Sequence, residues 1–147
     1  MRSAIAAALM AASTLAAQDL APGRIVDRVP CLSAPEWSYA LYLPSGYRSG
    51  KAWPVLFLFD PGARGATAVE AFRPAAEELG WILVGSNDSR NGPLEASLRS
   101  ALAVHADALA RFPVDARRVY AAGFSGGARV ASLFPRAVGR EIAGIIG

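Results

Sequence analysis

The stretch "RVYAAGFSGGARVA", residues 118–131, runs from an apolar segment directly into Gly123-Phe124-Ser125-Gly126-Gly127 and out into a second apolar segment, with no ordinary loop between them. "RVYAAGF" is short and almost continuously apolar, as a strand buried on both faces must be, and "GGARVASLFPRAVG" begins as a helix. A serine in Gly-x-Ser-x-Gly spacing between strand and helix sits on a turn so sharp that its backbone is strained. The strain lifts its hydroxyl above the end of the sheet. Glycines two before and two after are expected, because a Cβ at either place would crowd the neighbouring strand and helix. Such a serine is a nucleophile in waiting, and Ser125 is the candidate catalytic residue.

Placement at a helix start supplies a second element of the chemistry. The first N–H groups of a helix have no partner within it and point outward, so the Gly126 N–H is expected to stabilise the oxyanion formed when Ser125 attacks a carbonyl. The other donor of such a site comes from the loop after an earlier strand. In "FLFDPGARG", residues 57–65, that place falls on Gly62 and Ala63, and the Ala63 N–H is the one assigned. Glycine-rich turns after strands also cradle phosphates, but neither G-x-G-x-x-G nor G-x-x-x-x-G-K-[ST] occurs here.

Outward from the elbow, the chain alternates strands and helices. "WSYALYLP" reads as a half-buried strand closed by the Pro44-Ser45-Gly46 turn, while "PVLFLFD" and "WILVGS" read as fully buried strands. Thr67 to Leu79 has Val69, Phe72, Ala76 and Leu79 at helical spacing with Gly80 as a stop. After the polar cluster Asn87 to Gly92, Pro93 opens a helix whose apolar stripe is Leu94, Leu98, Leu102, His105, Leu109 and Phe112. Pro113 ends it, and "EIAGIIG" reads as a further strand. Residues 18–36 read as a leading loop or linker. The fold class expected is α/β, a mostly parallel sheet with helices on both faces.

Composition narrows the function. With 147 residues, 53% hydrophobic and 18% charged, the chain is suited to one packed domain. The formal net charge is +3, yet the basic residues are scattered and only Arg117 and Arg118 are adjacent, which gives no nucleic-acid surface. A single cysteine, Cys31, and a single histidine, His105, exclude an intrachain disulfide and a histidine-rich metal centre. The start, "MRSAIAAALMAASTLAAQDL", has one Arg, an apolar Ala-rich run and Leu15-Ala16-Ala17 before Gln18. It reads as a signal peptide over residues 1–17, too short for a stable membrane span, and export to a periplasm or medium is the expected localisation.

The order of apolar strand with Pro-Gly loop, strand, helix, "ARRVYAAGFSGGARVA" and last strand resembles the first half of an α/β-hydrolase. It is most similar to the secreted esterase, feruloyl-esterase and polyhydroxybutyrate-depolymerase branch, whose Asp-x-x-Arg-Val-Tyr lead-in is matched here by Asp115, Arg118, Val119 and Tyr120. The resemblance covers about residues 37–147. It implies a Ser-Asp-His triad in that chain order, hydrolysis of a small-molecule or polymeric carboxylic ester, and no cofactor. One departure is Asp60-Pro61-Gly62 where the branch often has His-Gly, an exchange that backbone donors tolerate.

A second departure is weightier. Only residues 126–147 follow Ser125, and the sole histidine lies on the helix stripe before the elbow, where it reads as a core residue rather than a base. The base and acid are thus expected outside these residues, with 37–147 as an N-terminal portion of the domain. Were the sequence complete, its last strand would leave an apolar edge open to pairing. Asp60 and Asp88, in loops at the expected active edge, read as turn formers or caps. Arg64 and Arg129 are candidates to attract an acidic acyl group. The reading from another class is a non-catalytic binding or assembly protein that keeps the elbow as a packing corner.

Overall fold

The computed structural model describes residues 20–140 and 142–147; the segment read as a signal peptide, 1–17, lies outside them. Nine elements follow in chain order: β1 (Ile25–Pro30), β2 (Ser38–Tyr42), β3 (Trp53–Phe59), α1 (Gly65–Leu79), β4 (Ile82–Ser86), α2 (Leu94–Arg111), β5 (Val114–Gly123), α3 (Gly126–Val138) and β6 (Gly144–Ile146). The strands form one sheet in the order β1-β2-β4-β3-β5-β6. β4, β3, β5 and β6 pair in parallel, whereas β1 with β2 and β2 with β4 are antiparallel. The sheet is mixed and mostly parallel, as expected for strands joined by helices.

Alternation along each strand divides the core into two layers. Val55, Phe57 and Phe59 of β3 join Tyr39, Leu41, Ile82, Val84 and Val119 in a layer with Val104 of α2 and Phe134 of α3. Leu56 and Leu58 face the other way, with Ala40, Tyr42 and Leu83, onto Val69 and Ala76 of α1. Burying each of these large apolar side chains is worth about 1.5–3 kcal/mol. α1 ends at Gly80, whose φ of 71° is the left-handed stop that a side chain resists.

Three expectations are corrected. The segment read as a leading loop contains β1, disguised because the exposed Asp27 and Arg28 interrupt its apolar residues and a register shift falls between Val26 and Val29. β2 is buried along its whole length rather than on one face, since it lies between β1 and β4 with a helix layer on each side. Its tyrosines tolerate burial because the Tyr39 hydroxyl donates to Asp107 Oδ2 at 2.8 Å and the Tyr42 hydroxyl donates to Glu77.

On α2 the apolar stripe packs on the core at Leu94, Leu98, His105, Leu109 and Phe112 but not at Leu102, and small residues fill most of the inner face. Ser97, Ser100, Ala101, Val104, His105, Asp107 and Ala108 are buried, while Leu102 is 45% exposed. Small residues face the sheet because the helix lies close to it. The larger leucines flank the contact.

Candidate active site

β5 delivers Ser125 to the end of the sheet, and the elbow has the strain its spacing implies. Ser125 lies at φ 53°, ψ −118°, and its hydroxyl makes no capping bond to α3 although serine at this position usually does. Among the described residues its Oγ has no hydrogen-bond partner, and the residue is exposed. The Gly127 N–H donates to Phe124 O at 2.8 Å and the Ala128 N–H to Ser125 O at 3.0 Å, so the turn is closed by backbone alone. The Gly126 N–H has no partner among the described residues.

Close approach explains the glycines. A Cβ on Gly123 would overlap the Gly127 carbonyl and the Ala128 nitrogen, and one on Gly127 would overlap the carbonyl of Phe59 at the end of β3. The third glycine is separate from the motif's demands: a Cβ on Gly126 would overlap Asn91 Oδ1, from the loop after β4.

The loop after β3 is organised by Asp60. Its carboxylate accepts the Gly62 N–H at 2.7 Å and the Arg64 N–H at 3.4 Å, and is clamped by Arg64 Nε at 2.9 Å and Nη2 at 3.0 Å. Burial pushes the Asp60 carboxyl up, but the bonds from Arg64 and Gly62 outweigh it and hold the carboxyl below its usual range. Arg64 is thereby committed to the loop, which leaves it less suited to attract an acidic acyl group. Ala63 has φ 59°, and its N–H donates to Asp60 O at 3.2 Å, at the long end for such a bond. Among the described residues, Ala63 and Ser125 are the two non-glycine residues with positive φ. Backbone strain is therefore confined to the two positions that the sequence assigned to oxyanion binding and to nucleophilic attack.

Asp88 accepts the Ser38 N–H at 2.8 Å, which ties the loop after β4 to β2. His105 is 7% exposed and packs between Phe57 and Phe134, with ring centroids at 5.4 and 5.6 Å. Burial, with a smaller contribution from Arg140, pushes its pKa down to about 4. It makes no bond to Ser125. Beside the elbow, a cavity of about 270 Å³ is lined by Leu58, Asp60, Thr67, Phe72, Phe124 and Ile146, among others. Among the described residues no cluster of three His, Cys, Asp or Glu side chains could hold a metal ion, and no helix is long and apolar enough to cross a membrane.

No family model and no curated protein matches this sequence. Solved structures do match. An esterase from the Planctomycetes species Thermogutta terrifontis aligns at 18% identity and TM-score 0.51, over 66% of this chain and 38% of that one. The same esterase phosphonylated by sarin aligns at 17% identity and TM-score 0.52, over 66% and 39%. A truncated carbohydrate esterase from gut microbiota aligns at 15% identity and TM-score 0.56, over 78% and 44%. The chain thus spans less than half the length of these proteins. The architecture they share with it is the α/β-hydrolase fold.

Proposed function

We propose that this chain carries the nucleophile and oxyanion site of an exported serine hydrolase acting on carboxylic esters. The observation that carries the reading is the exposed Ser125 hydroxyl, unused as a helix cap and held at positive φ above the end of a parallel sheet. Ser125 Oγ adds to the ester carbonyl carbon, and the Gly126 and Ala63 N–H groups receive the resulting oxyanion, Ala63 sharing its proton with Asp60 O. Collapse breaks the carbonyl–oxygen bond to the alcohol, which leaves with a proton, and water then cleaves the acyl-enzyme. His105 is not the proton carrier in this reading, since it is held in the core between Phe57 and Phe134. Export rests on the signal-peptide pattern of residues 1–17. The esterase names of the structural neighbours support the ester as substrate class, small or polymeric.

The rival, an assembly protein that keeps the elbow for packing, draws on Ile145 and Ile146 of β6, which are 44% and 57% exposed. A fluorophosphonate probe followed by intact mass separates the two. Stoichiometric labelling of the native full-length protein, lost in Ser125→Ala and after heat unfolding, is expected. A folded protein whose Ser125 stays unlabelled overturns the hydrolase reading and favours the rival.

A further inference from the structure

Every backbone N–H from Asn87 to Asn91, in the loop between β4 and α2, has a hydrogen-bond partner. Asn87 Nδ2 donates to Asp27 O at 3.0 Å and Ser38 Oγ at 3.3 Å, Asp88 accepts from the Ser38 N–H, and the Ser89 N–H donates to Ser86 Oγ at 3.1 Å. The Arg90 backbone is held at both ends by Ser97: its N–H donates to Ser97 Oγ and its carbonyl accepts from it, each at 3.1 Å. Arg90 also bridges Gly62, and the Asn91 N–H donates to Pro61 O at 2.8 Å, so this loop is buttoned to the loop after β3. The exposed Asn91 side chain has no hydrogen-bond partner among the described residues.

That side chain stands against Gly126, where its Oδ1 fills the place a Cβ would take. Gly126 follows the nucleophile and carries the N–H with no partner. A half-turn of the carboxamide exchanges Oδ1 for the Nδ2 donor in the same volume. Meanwhile the loop after β3, the source of the second backbone donor, has its Gly62, Ala63 and Arg64 N–H groups all directed at Asp60. An oxyanion held by Gly126 and a shared Ala63 proton is short of donors. A free carboxamide stands beside it on a doubly anchored loop.

We propose that Asn91 is a further catalytic residue, whose side-chain N–H donates to the oxyanion formed on the ester at Ser125; the proposal rests on the hydrolase reading above. As Oγ adds to the carbonyl carbon, the π pair moves onto the carbonyl oxygen, and Gly126 N–H and Asn91 Nδ2–H both donate to it. The bonds are strongest on the charged oxygen and relax when the carbonyl re-forms, so Asn91 loses no atom and no proton. Gly126 follows from the same arrangement, because any larger residue there would drive the carboxamide off the site.

The test is the second-order rate at which a fluorophosphonate labels Ser125 in the native full-length protein, because the phosphonyl oxygen takes the oxyanion's place. Asn91→Ala is expected to slow labelling about 100-fold with the unfolding midpoint unchanged. Asn91→Asp, nearly identical in shape, is expected to slow it at least as much, since it has no N–H and sets a negative charge beside the oxyanion. A purely structural asparagine would lower the midpoint and leave the folded protein's rate alone, so wild-type labelling by either folded variant overturns the proposal while the hydrolase reading stands. An unlabelled Ser125 in the folded wild type overturns that reading, and this proposal falls with it.

Discussion

Ser125 sits at φ 53°, a conformation that costs a side-chain-bearing residue about 1–3 kcal/mol and that glycine adopts at little cost. Ser125→Gly is therefore expected to be more stable than Ser125→Ala by about 1 kcal/mol. Denaturant midpoints of the two variants check this directly, and an alanine variant equal to the glycine variant would show that the turn holds no strain. Gly127 differs in kind. Its missing Cβ faces the Phe59 carbonyl, a backbone atom that the β3–β5 pairing holds in place, so Gly127→Ala is expected to destabilise by about 1–3 kcal/mol or more and to abolish labelling of Ser125. The glycines at 123 and 127 could be read from the sequence because their reason is local to one sharp corner. The reason for Gly126 could not, since it is Asn91, brought there by the pairing of two other loops.

At the scale of elements, α2 does more than cover the sheet. Asp107 on its inner face accepts the Tyr39 hydroxyl at 2.8 Å, the Leu32 N–H at 2.7 Å and Arg111 Nε at 2.7 Å, and Arg111 Nη2 reaches Pro30 O at 2.8 Å. This pins the β1–β2 connection to the helix. Removing the acid strands a mostly buried Arg111 and two other donors, so Asp107→Ala is expected to cost about 3–5 kcal/mol, against about 1 kcal/mol for Tyr39→Phe. Urea unfolding of the two variants measures both. His105, two residues before Asp107 on the helix, has its folded pKa depressed from 6.5 to about 4. Between those values the unfolded chain takes up a proton that the folded one refuses. His105 therefore costs no stability above about pH 6.5, and stability falls as pH drops toward 4, by up to about 3 kcal/mol. Urea midpoints of wild type and His105→Leu are expected to part as pH falls through that range, wild type losing stability that the leucine variant keeps. An equal acid decline in both would remove His105 as its source. The sequence placed His105 in the core but missed the Asp107 network, because a stripe of leucines is visible as a pattern while an acid's partners come from distant segments.

For the whole molecule, the strands that could be read from sequence were those buried on both faces, where "PVLFLFD" and "WILVGS" leave no polar interruption. β1 was hidden because it is an edge, and its edge character also separates it from the far side of the sheet. There Asp27 and Arg28 are exposed and the ladder shifts register, features that discourage further pairing. The opposite edge has none of them. β6 is Gly144-Ile145-Ile146, it pairs with β5 on one side, both isoleucines are exposed, and Ile146 lines the same cavity as Phe124, which is 74% exposed. An uncharged apolar edge next to an exposed aromatic is a template for another strand. The 147 residues expressed alone are therefore expected to self-associate, with a mass by light scattering that rises with concentration. Ile146→Lys places a charge on that edge and is expected to shift the distribution toward monomer without lowering the unfolding midpoint. A wild-type chain that stays monomeric at high concentration, or an Ile146→Lys chain that associates just as strongly, would show that the β6 edge is not where copies meet.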